Sequence, residues 1–196
     1  MRACGFALIL ASALSCSRGG EDVSSATKVP ASASGTNNTG DTAKPSPSKP
    51  AEVAVADLAG VDAALAKLHG RGVLLNFWAT WCAPCVAELP GLLETARTFK
   101  ERGGEVVLVS YDAMIPGVTR EAARKLVDDF VAKRKVDAPV LIYEAENYDS
   151  INERFGLPGE VPVTLAIDKN GKIVDRQEGR GDKKRWAEMF ERALAH

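Results

Sequence analysis

The sequence predicts an α/β layer architecture for residues 52–196. Three observations predict it. Short apolar runs of the kind made by buried strands alternate with longer stretches whose apolar residues recur at helical intervals. An Asn-Gly pair, Asn170-Gly171, marks a tight hairpin between two late strands. Before residue 52 the composition turns to small and polar residues that cannot supply a core.

Taken in order, Val73-Leu74-Leu75-Asn76-Phe77-Trp78 reads as a buried central strand. Residues 83–102 read as a helix, with Val86, Leu89, Leu93, Ala96 and Phe99 at helical spacing and Gly103-Gly104 to stop it. Val106, Val107, Leu108 and Val109 mark a second buried strand over 105–111. Residues 119–133 read as a helix whose apolar stripe is Ala122, Leu126 and Phe130, with Glu121, Arg124 and Lys125 on other faces. Val140-Leu141-Ile142 suits a short strand and 150–155 a turn or two of helix. Val163–Ile167 and residues 172–176 are the strands of the hairpin, and Asp182 caps a last helix carrying Trp186, Met189, Phe190 and Leu194. His69 is read as ending a helix upstream of the first strand. The order is β-α-β, an inserted α-β-α, then β-β-α.

A hydrophobic share of 45% with 26% charged residues is that of an ordinary globular chain. A formal net charge of −1 argues against a nucleic-acid partner and against a polybasic membrane patch. The N-terminus is distinctive. Met1-Arg2, a mostly apolar run over 3–14 and Ser15-Cys16-Ser17 fit a short secretory signal over 1–15. The run falls short of the about 20 apolar residues that a spanning helix needs. Ala13-Leu14-Ser15-Cys16 resembles a bacterial lipobox, which implies that Cys16 is lipidated and anchors the chain to a membrane. The competing reading is a plain cleaved signal with an incidental cysteine. Ser17 in place of an aspartate leans, by the same resemblance, towards the outer membrane. Residues 16–51 then form a lipidated tether with a reach of about 30–35 Å. The expected location is the cell envelope, on the periplasm-facing side.

Cys82 and Cys85 form a lone Cys-x-x-Cys immediately after a strand, at the start of a helix. A structural zinc site needs four ligands, and the rest of the mature chain, after the signal over 1–15, offers only His69, His196 and an acylated Cys16. Haem attachment needs a histidine after the second cysteine, where Val86 stands. A redox role remains, with no metal and no cofactor. Free backbone N–H groups and the positive end of the helix dipole favour a thiolate at Cys82. Lowering a thiol pKa from about 8.5 to about 7 raises the thiolate fraction at neutral pH from about 3% to about 50%, while nucleophilicity falls roughly fivefold. The larger benefit is a good leaving group, so that Cys85 can resolve a mixed disulfide. Pro84, in the first turn, costs no helical hydrogen bond and stiffens the loop.

The segment Asn76-Phe77-Trp78-Ala79-Thr80-Trp81-Cys82-Ala83-Pro84-Cys85-Val86-Ala87-Glu88-Leu89-Pro90 resembles the active-site segment of TlpA/ResA-type thioredoxin-like proteins. The resemblance extends over nearly all of 52–196. It implies a thioredoxin-like fold, with a central mixed sheet flanked by helices and an α-β-α insertion before the cis-proline strand. It also implies periplasm-side thiol–disulfide exchange, often reductive and sometimes serving cytochrome c maturation. By position, Cys82 would attack, Cys85 resolve, and Pro162 be the cis proline facing them. Val161 would offer backbone hydrogen bonds to an extended substrate, and Trp81, Ala83 and Pro84 would line its path. Glu88 would accept the proton of Cys85; the plainer reading is a solvated glutamate near a helix N-terminus. Where the family's run after the proline begins with threonine, Val163 precedes Thr164 here. Asn76 stands where cytosolic thioredoxins carry a buried aspartate, so it cannot relay a proton as that aspartate does. Trp78 is read as core.

The function expected is a disulfide reductase of exported proteins, monomeric and fed by a membrane electron donor upstream. The alternatives are a disulfide donor or isomerase, and a lipoprotein binding module whose disulfide is inert. Ala83-Pro84 lacks the histidine that oxidants and isomerases of this fold often carry, which favours the reductant.

Overall fold

The computed structural model describes residues 51–195. The signal over 1–15, Cys16 and all of the tether except residue 51 lie outside the described residues. In chain order the elements are β1 (Val53–Ala56), α1 (Leu58–Ala66), β2 (Gly72–Trp78), α2 (Ala83–Phe99), β3 (Gly104–Ser110), α3 (Arg120–Arg134), β4 (Val140–Tyr143), α4 (Asp149–Phe155), β5 (Val163–Ile167), β6 (Ile173–Glu178) and α5 (Lys183–Leu194). Six strands make one mixed sheet in the order β1-β4-β3-β2-β5-β6. β2 lies parallel to β3 and antiparallel to β5. The expected insertion is α3-β4-α4, with β4 parallel to both β3 and β1. Among the described residues no helix is long and apolar enough to cross a membrane.

Strand alternation sends successive side chains of β2 into two cores. Leu74 and Trp78 pack with Leu89, Leu92, Val127, Trp186 and Phe190 on one side of the sheet. Val73, Leu75 and Phe77 pack with Val107, Val109, Tyr143 and Phe155 on the other. Asn76 falls on the Leu74–Trp78 face, and its side chain meets α2. A polar residue in an otherwise apolar buried strand is thereby aimed at the helix that carries the cysteines.

Local signals formed as expected. Gly171 takes the left-handed φ of +82° that the turn requires, and Asp168 Oδ1 accepts the Asn170 and Lys172 N–H groups at 2.9 and 2.8 Å. Asp182 caps α5 by accepting the Arg185 N–H at 2.8 Å. α5 buries Trp186, Met189, Phe190 and Ala193, with Leu194 only half-buried.

Two features differ from the sequence reading. β1 is an edge strand of four Val and Ala residues, too short to show a period, and α1 ends at Ala66 so that His69 lies in the turn beyond it. In α3 the buried stripe is Ala123, Val127 and Val131, while Ala122 is exposed and Leu126 is 47% exposed. Both triplets recur every four residues, so periodicity alone cannot choose between adjacent ridges. Packing against the sheet decides. Phe130 stays half-buried on the flank, its ring 4.9 Å from that of Trp78.

Candidate active site

β2 ends at Trp78, and residues 79–81 carry the chain to Cys82, the N-cap of α2. Its Sγ accepts the Cys85 N–H at 3.3 Å, one of the donors that a helix start leaves without a partner. Cys82 and Cys85 are joined as a disulfide with Cα atoms 5.3 Å apart. Cys85 is fully buried and Cys82 retains slight exposure. Cys82 is therefore the sulfur an incoming group can reach. The Val161–Pro162 bond is cis, and the Val161 carbonyl oxygen lies 3.7 Å from Cys82 Sγ, where a reduced thiol can donate to it. Register accounts for that approach: Val163 pairs with Phe77, so Pro162 sits beside the end of β2. Trp81 is 56% exposed beside Cys82, Ala83 and Pro84 are exposed on the first turn of α2, and Val161 is half-buried.

Glu88 is only 3% exposed, which rules out the solvated glutamate. It lies one turn beyond Cys85 on the buried side of α2. Asn76 Nδ2 donates to Glu88 Oε1 at 3.0 Å, and the Gly181 N–H donates to Oε2 at 3.0 Å. Burial pushes the Glu88 carboxyl above its ordinary value of 4.5, and the Gly181 N–H, the Asn76 amide and the Arg180 guanidinium pull it back only part of the way. Asn76 also gives Nδ2 to Thr164 Oγ1 at 2.9 Å, its direct partner across the β2–β5 ladder. Asn76 Oδ1 is buried with no hydrogen-bond partner among the described residues. Turning the amide over would present Oδ1 to the Thr164 hydroxyl and to a protonated Glu88. The carboxyl is thus held where both of its protonation states can be accommodated.

Sequence reasoning missed three supports of the site: Thr164, Gly181 and Asp112. Thr164 and Gly181 reach the site through contacts 88 and 93 residues along the chain. A side chain at Gly181 would collide with the buried Trp186 ring, which would have to shift. Asp112, fully buried after β3, accepts the Thr80 N–H at 3.0 Å, the Ser110 hydroxyl at 2.6 Å and the Thr80 hydroxyl. It pins the loop that delivers Cys82. A carboxylate directly after a buried strand was the available signal for Asp112, as a polar residue within one was for Thr164.

A redox-active cysteine pair at a helix start, opposite a cis proline and just beyond the end of a central strand of a mixed sheet, defines a thioredoxin-like thiol–disulfide oxidoreductase. The chain belongs to the Redoxin family, which its residues 37–192 match. The thiol-disulfide oxidoreductase ResA of Bacillus thuringiensis (strain Al Hakam) is 35% identical over 129 residues, 66% of this chain and 67% of the relative. A solved thiol:disulfide interchange protein of the thioredoxin family from Chlorobium tepidum TLS aligns with TM-score 0.55 at 25% identity, covering 66% of this chain and 83% of its own. The thioredoxin domain of a thiol-disulfide oxidoreductase from Bacteroides vulgatus aligns with TM-score 0.52 at 26% identity, over 66% and 84% respectively.

Proposed function

We propose that this oxidoreductase acts as a reductant of disulfides in exported proteins, in the cell envelope, held to a membrane through Cys16. In the reduced protein the Cys82 thiolate attacks one sulfur of a substrate disulfide, forming a mixed disulfide and expelling a substrate thiolate. Cys85, its proton taken by Glu88, then attacks Cys82 Sγ. The second substrate thiolate leaves and the Cys82–Cys85 bond forms. Two electrons pass to the substrate, and a dithiol donor upstream must return them. Trp81, Ala83, Pro84 and the Val161 backbone hold the substrate strand, and Pro162 faces the sulfurs.

The observation that carries this reading is the carboxyl of Glu88, buried one helical turn after the resolving cysteine, because an inert disulfide has no need of a buried proton acceptor there. Location rests on the N-terminal signal and the lipobox-like run. The resemblance to TlpA/ResA-type proteins adds haem-acceptor cysteines of c-type cytochromes to the candidate substrates. The test is to express Cys85→Ser and identify what is trapped on Cys82, alongside insulin reduction by the wild type with dithiothreitol. Exported proteins on Cys82 and rapid insulin reduction are expected. A wild type inactive on insulin, with no trapped partner under several growth conditions, would leave an inert binding module. Faster disulfide donation than reduction would reverse the direction.

A further inference from the structure

A groove of about 410 Å³ runs between α2 and α3, starting one residue after Cys85. The cysteine end is apolar, lined by half-buried Val86, exposed Pro90 and the flank of Phe130. Pro90 lies inside α2 and has no N–H to give the Val86 carbonyl, so that helical bond is missing. The far end is basic. Arg97 is neutralised there by Asp137 at 2.7 Å, and Glu94 by Lys183 at 2.6 Å. Lys133, Arg134 and Lys135 have no carboxylate partner among the described residues, whereas Arg124 and Lys125, earlier on the same helix, are paired with Asp128 and Asp129. The uncompensated charge of the lining is therefore positive.

The helix dipole favours cations in the last turn of α3, but it does not explain Lys135. That residue ends α3 in the left-handed conformation, φ +53°, where glycine or asparagine is usual and other side chains are strained. A lysine at such a position, exposed at the mouth of an apolar groove, points to use of its charge.

We propose that this groove docks the polypeptide substrate. It selects a segment with an apolar residue beside the reacting cysteine and acidic residues farther along. The spacing follows from the helix. From Val86 to Arg97 α2 rises about 16 Å, which an extended chain covers in about five residues. A backbone N–H of that segment would donate to the Val86 carbonyl, and its carboxylates would meet Lys133, Arg134 and Lys135. This inference rests on the proposed exchange at Cys82.

The test uses the reduced protein and short peptides, each with one cysteine in mixed disulfide with mercaptoethanol and a leucine beside it. Two aspartates or two lysines stand about five residues away, on either side of the cysteine in separate peptides. Rates are normalised for each protein to that with hydroxyethyl disulfide, which is uncharged and too short to reach from Cys82 to the groove's far end while it reacts. In one of the two directions the acidic peptide should react roughly tenfold faster than the basic one at low salt, and the gap should close as salt rises. Lys133→Glu combined with Lys135→Glu should reverse the preference. Both positions are exposed, so folding is not at stake. Equal rates for acidic and basic peptides in both directions, or a preference untouched by the double variant, overturn the proposal. So does Lys133-dependent binding to phosphatidylglycerol vesicles without peptide discrimination, which would make the cations a membrane contact. If no disulfide is reduced at all, the exchange reading fails, and calorimetric titration with cysteine-to-serine peptides still reads the groove by itself.

Discussion

Replacing Glu88 by glutamine separates its chemistry from its packing. The amide occupies the same volume. With Oε1 towards the Gly181 N–H and Nε2 towards Asn76, the Asn76 amide need only turn over to offer Oδ1, which the Thr164 hydroxyl can also donate to. The melting temperature of Glu88→Gln at pH 7 should therefore stay within about 2 °C of the wild type, or rise. A rise is favoured by linkage. The folded carboxyl has its pKa raised above 4.5, so the native state keeps a proton that the unfolded chain releases. The wild type's stability then falls as pH climbs from the unfolded value through the folded one, and the amide lacks that loss. Catalysis should suffer instead. Cys85 is fully buried, and an ordinary thiol is only about 3% ionised at pH 7. A positioned base is worth at least about a hundredfold, or about 2.7 kcal/mol. Resolution of a preformed mixed disulfide on Cys82, followed by stopped flow, should slow by about that factor at pH 7 and recover roughly tenfold per pH unit towards pH 9. A resolution rate within threefold of the wild type at pH 7, or slowing by the same factor at every pH, would refute Glu88 as the proton acceptor.

Asp112→Ala should cost roughly 3–5 kcal/mol in chemical denaturation, because it strands the Thr80 N–H and two hydroxyls, and Asp112→Asn should cost clearly less. Gly181→Ala should lower the melting temperature by several degrees, since its Cβ meets the fully buried Trp186 ring and the Glu88 contact sits on the same residue. On α3, Val127→Ala should cost about 1–3 kcal/mol while Leu126→Lys stays within about 0.5 kcal/mol, a direct check of which ridge faces the sheet.

What was legible beforehand is what is local. The Asn170-Gly171 turn, the Asp182 cap and the placement of Cys82 at a helix start all depend on residues within a few positions of one another, and all stand as read. The α3 ridge was misplaced by one residue because Ala122-Leu126-Phe130 and Ala123-Val127-Val131 have the same period, and only the sheet distinguishes them. The shell around Glu88 was illegible for a related reason. Gly181 carries no local signature of a site, and Thr164 only that of a polar residue within a buried strand. Strand pairing and the closure of α5 bring them to the carboxylate.

The span of those contacts sets an order in time. A chain extended only as far as β4 would already contain both cysteines, yet would lack Pro162, Thr164 and the Gly181 N–H. Contacts spanning 88 and 93 residues form late, since distant segments must meet before they hold one another. As the chain is made, the cysteine pair and Glu88 therefore exist before Thr164 and the Gly181 N–H complete the surroundings of the carboxyl. The site is complete only with the last hairpin and helix.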